Sequence, residues 1–161
     1  MSAIRPILLQ LATALSHLKG IGIIHADIKP ENIMIVDHQE PLRVKLIIDF
    51  GIACHVSEVN RGSVVQSLRY RSSEVLYGLP FTEAIDMWSV GCVAAELLIG
   101  CPLYPAQSKY DMIRYIGQTQ GQLPDHLINL GLYSSEFFNR DTEGSEHLWS
   151  LKTQVQVCSV I

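Results

Sequence analysis

Ile4, Leu8, Leu11, Leu15 and Leu18 recur at steps of four and three residues, the spacing that lines one face of an α-helix. Ser2 stands where an N-cap belongs, Pro6 lies close enough to the start to be tolerated, and Gly20 and Gly22 mark the end. Short β-branched runs follow at Ile23-Ile24, Ile33 to Val36 and Val44 to Ile48. The last two are joined by Asp37-His38-Gln39-Glu40-Pro41, which reads as a hairpin loop. From about Ala53 to Ser73 the pattern is polar and irregular. Helical periodicity returns from Thr82 to Ile99, with Ile85, Val90, Val93, Ala94, Leu97 and Leu98 apolar and Gly100 as the stop. Because that helix is apolar over much of its circumference, it is expected to lie buried in the middle of the domain. Ser108 to Gln118 reads as another helix, and beyond it the signal weakens. At the very end, Val155 and Val157 alternate ahead of Val160-Ile161, a short β-prone segment.

These elements predict an α+β fold that is mainly α-helical, with a few short strands. Composition agrees: 161 residues, 48% hydrophobic and 17% charged, give one globular domain rather than a disordered chain. A net charge of −4, with no basic run, argues against direct nucleic-acid binding. The longest apolar stretch, Val90 to Ile99, is interrupted by Glu96 and is too short to cross a bilayer. Cys54, Cys92, Cys101 and Cys158 match no zinc spacing, and with no signal peptide they read as reduced thiols of an intracellular protein.

Chemistry concentrates in His25-Ala26-Asp27-Ile28-Lys29-Pro30-Glu31-Asn32, a loop between two short strands. It offers a carboxylate, an amine and an amide at positions 27, 29 and 32, able to converge on one point. A later strand delivers Asp49-Phe50-Gly51. A lone aspartate at a turn is usually a capping or solvated residue; the ordered set is what carries the signal. With Ile85-Asp86-Met87-Trp88-Ser89-Val90-Gly91 downstream, the three motifs resemble, in order, the catalytic loop, magnesium motif and central-helix motif of protein kinases. Ala26 in place of the usual Arg, the run Glu83 to Glu96, Cys101-Pro102-Leu103-Tyr104-Pro105 and Phe137-Phe138-Asn139-Arg140-Asp141 narrow the likeness to the homeodomain-interacting protein kinases of the CMGC group.

That resemblance implies a kinase C-terminal lobe over residues 1–153, followed by a divergent tail at 154–161. It implies ATP and Mg²⁺ as cofactors and protein hydroxyls as substrates, transcription regulators among them. No membrane partner is implied, and the setting would be nucleus or cytoplasm. Asp27 would orient and deprotonate the substrate hydroxyl, and Lys29 would stabilise charge on the γ-phosphoryl. Asn32 and Asp49 would hold the metal, and Met34 would form the floor under the adenine. The hydroxyl of Ser67 would bridge Asp27 and Lys29, while Asp86 would accept hydrogen bonds from backbone near His25. Arg71 belongs near the substrate-binding loop, Glu74 with an arginine partner, and His25, Phe50 and Gly51 in structural roles, Phe50 as core.

The sequence also departs from the family. Ser72-Ser73-Glu74 replaces Ala-Pro-Glu, Val64 replaces an activating tyrosine, and Leu68-Arg69 replaces Arg and an aromatic. The family's Gly-rich loop, phosphate-gripping lysine and partnering glutamate have no counterpart in these 161 residues, nor do its last two helices. The expectation is therefore a truncated protein serine/threonine kinase. The alternative is a non-catalytic kinase-like binding module or decoy that engages substrates or regulators of complete paralogues. A magnesium-dependent hydrolase using Asp27 and Asp49 ranks below both, because it leaves Lys29, Asn32 and Asp86 unexplained.

Overall fold

The computed structural model describes residues 4–37, 43–46, 49–140 and 148–158. Helix α1 (Ile4–Gly20) buries Ile7, Leu11, Leu15 and Leu18. The buried stripe runs through Ile7, whereas Ile4 and Leu8 are only partly covered. After it, β1 (Ile23–Ile24) leads into the His25–Asn32 loop. Then β2 (Ile33–Asp37) and β3 (Arg43–Leu46) pair antiparallel, with Ile33 opposite Leu46 and an irregularity between Ile35 and Asp37. This is the expected hairpin. Its loop at 38–42, residues 47–48 and the proposed N-cap Ser2 lie outside the described residues.

The stretch read as irregular holds more order than its polarity suggests. It contains β4 (Cys54–His55), which pairs antiparallel with β1, and it ends in a short helix, α2 (Ser73–Tyr77). A strand of two residues is too short for periodicity to reveal; its partner, not its own pattern, defines it.

Helix α3 (Ala84–Ile99) is the centre of the molecule. Ile85, Asp86, Ser89, Val90, Cys92 and Val93 are buried, and the helix packs on α1. The expectation of burial fails at its last turn, where Leu98 is 60% and Ile99 59% exposed. There the neighbouring end of α1 offers little cover: Ile4, Arg5, Leu8, Leu9 and Leu98 line a shallow open depression, and Leu9 is itself exposed. Helix α4 (Lys109–Gln120) starts with a complete capping box, in which Ser108 and Asp111 satisfy each other's backbone N–H groups. Where the sequence signal weakens, the chain forms α5 (Asp125–Leu130), α6 (Ser134–Phe137) and an antiparallel pair, β5 (Phe138–Arg140) with β6 (Trp149–Leu151).

Up to Cys158 the tail corrects the β-prone reading; Val160-Ile161 lie outside the described residues. Gln154–Cys158 is a helical turn, α7, with Val155 78% exposed and Val157 packed against the main core. In a strand those two valines would share a face; about 200° apart on a helix, they take opposite environments.

One corner joins distant parts of the chain. Gly62 and Gly78 both adopt positive φ, +84° and +68°, and a Cβ on either would collide with Leu132 or Tyr133. The Tyr133 hydroxyl donates to the Gly62 carbonyl (2.6 Å), the Tyr133 N–H donates to the Tyr77 carbonyl (3.1 Å), and the Arg61 guanidinium donates to the Leu130 carbonyl. Glycine is required at both positions because backbone and ring approach each other without room for a side chain.

Candidate active site

The loop after β1 is held from below by α3. Asp86, 2% exposed, accepts the N–H of His25 (2.8 Å) on one carboxylate oxygen and the N–H of Ala26 (2.9 Å) on the other. Burial pushes the Asp86 pKa up, and the two N–H donors oppose that push. Between those donors and Asp27 the chain makes a sharp turn, with Ala26 at φ +63°, a conformation uncommon for a residue with a Cβ. Such strain persists only where surrounding contacts over-determine it. Here Asp86 supplies them.

The turn delivers Asp27 into a closed set of hydrogen bonds. Lys29 Nζ lies 2.7 Å from Asp27 Oδ2 and 3.1 Å from Ser67 Oγ, while Ser67 Oγ donates to Asp27 Oδ1 at 2.7 Å. Asn32 Nδ2 donates to the Asp27 carbonyl (2.8 Å) and to Asp27 Oδ2 (3.0 Å). Burial raises the Asp27 pKa, but the bonds from Lys29, Ser67 and Asn32 outweigh it and hold the carboxyl below its ordinary value. Asp27, Lys29, Asn32 and Ser67 are thus brought together, from a loop and from a segment nearly forty residues later.

His25 is fully buried, and its Nδ1 accepts the Asp27 N–H at 3.2 Å. Burial lowers its pKa against the pull of Asp27 and Asp49, so the ring is neutral at pH 7, and its Nε2 has no hydrogen-bond partner among the described residues. The Phe50 ring lies 5.1 Å away, tilted by 43°. Phe50 is nevertheless 44% exposed, which corrects its assignment to the core: one side meets His25 and the other meets solvent.

Asp49 is exposed, and its Oδ1 accepts the Gly51 N–H at 2.7 Å. It makes no hydrogen bond to the Asp27 cluster among the described residues. Met34, on β2, is 49% exposed. Arg71 turns away from carboxylates: its guanidinium donates to the carbonyls of Val65 (2.9 Å) and Gln66 (2.8 Å). Glu74, half-buried at the start of α2, has no ion-pair partner among the described residues.

Sequence reasoning misses Gln66. It is 4% exposed, has φ +65°, and spends its side chain on α3 and on the Ser72 N–H. A glutamine in a polar run carries no hydropathy signal, so only its place beside Ser67 could have drawn notice. The Tyr70 hydroxyl, which donates to Glu96 at 2.7 Å, likewise has no signal in the sequence.

A family model described as protein kinase domain matches residues 1–147. The chain belongs to the protein kinase domain family. Within that family it is 58% identical over 151 residues to homeodomain-interacting protein kinase 2 of Mesocricetus auratus, a match covering 93% of this chain and 13% of the relative. It is 55% identical over 139 residues to homeodomain-interacting protein kinase 1 of Caenorhabditis elegans, covering 86% and 16%. With homeodomain-interacting protein kinase 4 of Homo sapiens it shares 49% over 154 residues, covering 93% and 25%. The chain therefore spans about a quarter or less of the length of these relatives. Its mainly helical architecture, with short strands around the Asp27 loop, is that of a protein kinase C-terminal lobe. Among the described residues, no helix is long and apolar enough to cross a membrane.

Proposed function

We propose that this chain carries the phosphoryl-transfer site of a protein serine/threonine kinase, moving the γ-phosphoryl group of ATP, with Mg²⁺, to hydroxyls of protein substrates. The observation that carries the reading is the closed triangle of Asp27, Lys29 and Ser67, all three sides between 2.7 and 3.1 Å. Phosphoryl transfer asks for positioning and charge stabilisation more than for covalent chemistry. In this triangle Asp27 is fixed from both oxygens and kept ionised. It would accept a hydrogen bond from the substrate hydroxyl and aim that oxygen in line, taking the proton late, as its lowered pKa requires. Lys29, a cation already within the cluster, would meet the negative charge of the transferring group.

The donor set fits the metal. Asn32 commits its amide nitrogen to Asp27, which leaves its carbonyl oxygen for a ligand, and Asp49 adds carboxylate oxygens. Mg²⁺ prefers such hard donors and is usually held by one or two of them together with phosphate oxygens. When bound, it would offset the charge that develops on the phosphates. Met34, exposed on β2, would contribute apolar surface to the adenine. Because Met34, Asp49 and Phe50 are open to water, efficient transfer needs a cover over them that excludes solvent.

The segment around Arg71 favours a substrate with proline after the target residue. Arg71 occupies the Gln66 carbonyl, so a substrate residue lying there has no backbone acceptor to bond and loses nothing by lacking an N–H. The names of the relatives point to homeodomain proteins as partners to try first.

The test fuses residues 1–161 behind the ATP-covering lobe of a homeodomain-interacting kinase and follows phosphate incorporation into a Ser/Thr-Pro protein. Mg-ATP-dependent transfer, lost in Lys29→Ala, is the expected result. A fusion that binds Mg-ATP normally and transfers nothing replaces this reading with the binding-module one, which the Ser72-Ser73-Glu74 departure would then explain.

A further inference from the structure

We propose that Gln66 is a positioning residue for phosphoryl transfer, a side-chain clamp that hangs the Val65–Ser72 segment on α3 and thereby sets Ser67 between Asp27 and Lys29. The inference rests on the kinase reading and adds a residue to it.

A buried glutamine must satisfy a donor and an acceptor end, and this one satisfies both across three chain regions. Its Nε2 donates to the Ile85 carbonyl (2.9 Å) and to Ser89 Oγ (2.9 Å), and its Oε1 accepts the Ser72 N–H (2.9 Å). Ser89 Oγ passes the connection on to the Tyr70 carbonyl at 2.8 Å. The backbone carbonyl of Gln66 is taken by Arg71. Both ends of the segment, Gln66 and Tyr70 to Ser72, are therefore tied to one turn of α3, through Ile85 and Ser89. Asp86, next to Ile85, ties the catalytic loop to the same turn.

Ser67 hangs directly from this clamp. With Gln66 held at φ +65°, the next residue turns its hydroxyl to Asp27 Oδ1 and Lys29 Nζ. A left-handed backbone at a residue with a Cβ is unfavourable, and its persistence needs fixed partners. The side-chain bonds are those partners. Without them the segment relaxes toward ordinary φ and carries Ser67 away from the triangle.

The experiment uses the fusion described above, with Gln66→Met, which keeps length and loses every side-chain hydrogen bond, and Gln66→Gly, which tolerates the backbone angle but has no clamp. Each is measured in the parent and in a Ser67→Ala background. We expect kcat to fall roughly 10-fold or more in both single variants, with KM for ATP unmoved. In the Ser67→Ala background the further loss should be under about 2-fold, because the clamp then has nothing to position. Losses that multiply independently with Ser67→Ala, or that simply track the folded fraction, overturn the proposal. So does full activity in Gln66→Gly. Should Gln66→Met fail to fold, Ser89→Ala removes one partner with less disturbance and should show a smaller loss with the same Ser67 dependence. Amide hydrogen exchange at Ser72 is read on the same samples and is expected to quicken in the Gln66 variants. If the parent fusion transfers no phosphate, the kinase reading fails. The exchange measurement then still decides the clamp, and unchanged protection at Ser72 overturns it.

Discussion

The Asp27 cluster and the Asp49-Phe50-Gly51 turn, proposed above as two halves of one transfer site, are built in opposite ways. Asp27 is 8% exposed, held through both carboxylate oxygens, and braced from beneath by a buried aspartate on the central helix. Asp49 is exposed and bonds the backbone two residues on, while Phe50 leans on a single ring. The groups that would position the substrate hydroxyl are preorganised by the lobe's own hydrogen bonds. The groups that would hold nucleotide and metal are displayed rather than clamped, and take their final geometry from what binds them. Preorganisation here belongs to one half of the reaction only.

The strongest way to break that contrast is to exchange one atom in each half within the fusion protein. Asp27→Asn is expected to cut kcat about 10³-fold while nucleotide affinity stays nearly constant, because it acts on positioning in the transition state. Asp49→Asn should weaken nucleotide binding in Mg²⁺ but not in its absence, since a charged oxygen ligand becomes neutral. Titrations of nucleotide with and without Mg²⁺, beside initial rates, separate the two; equal effects of the variants on binding would dissolve the distinction.

Adding charge to the clamped half sharpens it further. Ser67→Asp, standing for a phosphorylated Ser67, places a second carboxylate against Asp27's own, where the Ser67 hydroxyl lies 2.7 Å from Oδ1, and removes the hydroxyl donor. Ala26 offers no cation to receive it, where many kinases carry arginine. Activity should drop about 10-fold or more; a rise in the phosphate-transfer assay would show that the segment is switched on by this site instead.

Stability should divide along the same line. Asp86→Ala leaves the His25 and Ala26 N–H groups buried and unpaired, at a cost of about 2–4 kcal/mol. Asp49→Ala should change stability by less than about 0.5 kcal/mol. Thermal melts read both. The pH dependence follows from Asp27, whose folded pKa lies below its unfolded one. The stabilisation it contributes is complete above the unfolded value of about 3.9 and is lost as pH falls through the lower folded value. The melting-temperature gap between parent and Asp27→Asn should accordingly be flat near neutrality and close only in acid. The smallest effect belongs to the tail: Val157→Ala should cost about 1 kcal/mol and Val155→Ala almost nothing. Equal costs would restore the strand reading.

Much of this site could be read from the residues because its chemistry is crowded into short ordered motifs. Asp27, Lys29, Asn32 and Asp86 sit in ordered motifs that resemble those of protein kinases, and long periodic helices such as α1 and α3 announce themselves through their apolar steps. Other features depend on partners far away in the chain. β4 exists because Ile23-Ile24 lies beside it, and Gln66 is buried because Ile85 and Ser89 accept its amide. Phe50 looked like core by its type, but burial depends on what covers a ring, which a tripeptide cannot state. The tail's two valines alternate as in a strand, but the core contact at Val157 goes with a helical turn, which so short a pattern does not announce.

The Leu132-Tyr133 corner has a kinetic consequence. Tyr133 bonds the Gly62 carbonyl at one end of the 62–78 segment and the Tyr77 carbonyl at the other. The corner leaves no room for a side chain at Gly62 or Gly78, so the chain between them is a loop held at both ends by the same corner. Such a loop cannot fray from one end: releasing Tyr133 frees both anchors together, and retaining it holds both. Amides beside Gly62 and Gly78 should therefore quicken in step when Tyr133 lets go, while Ser72, still held on α3 through Gln66 and Ser89, keeps its own rate.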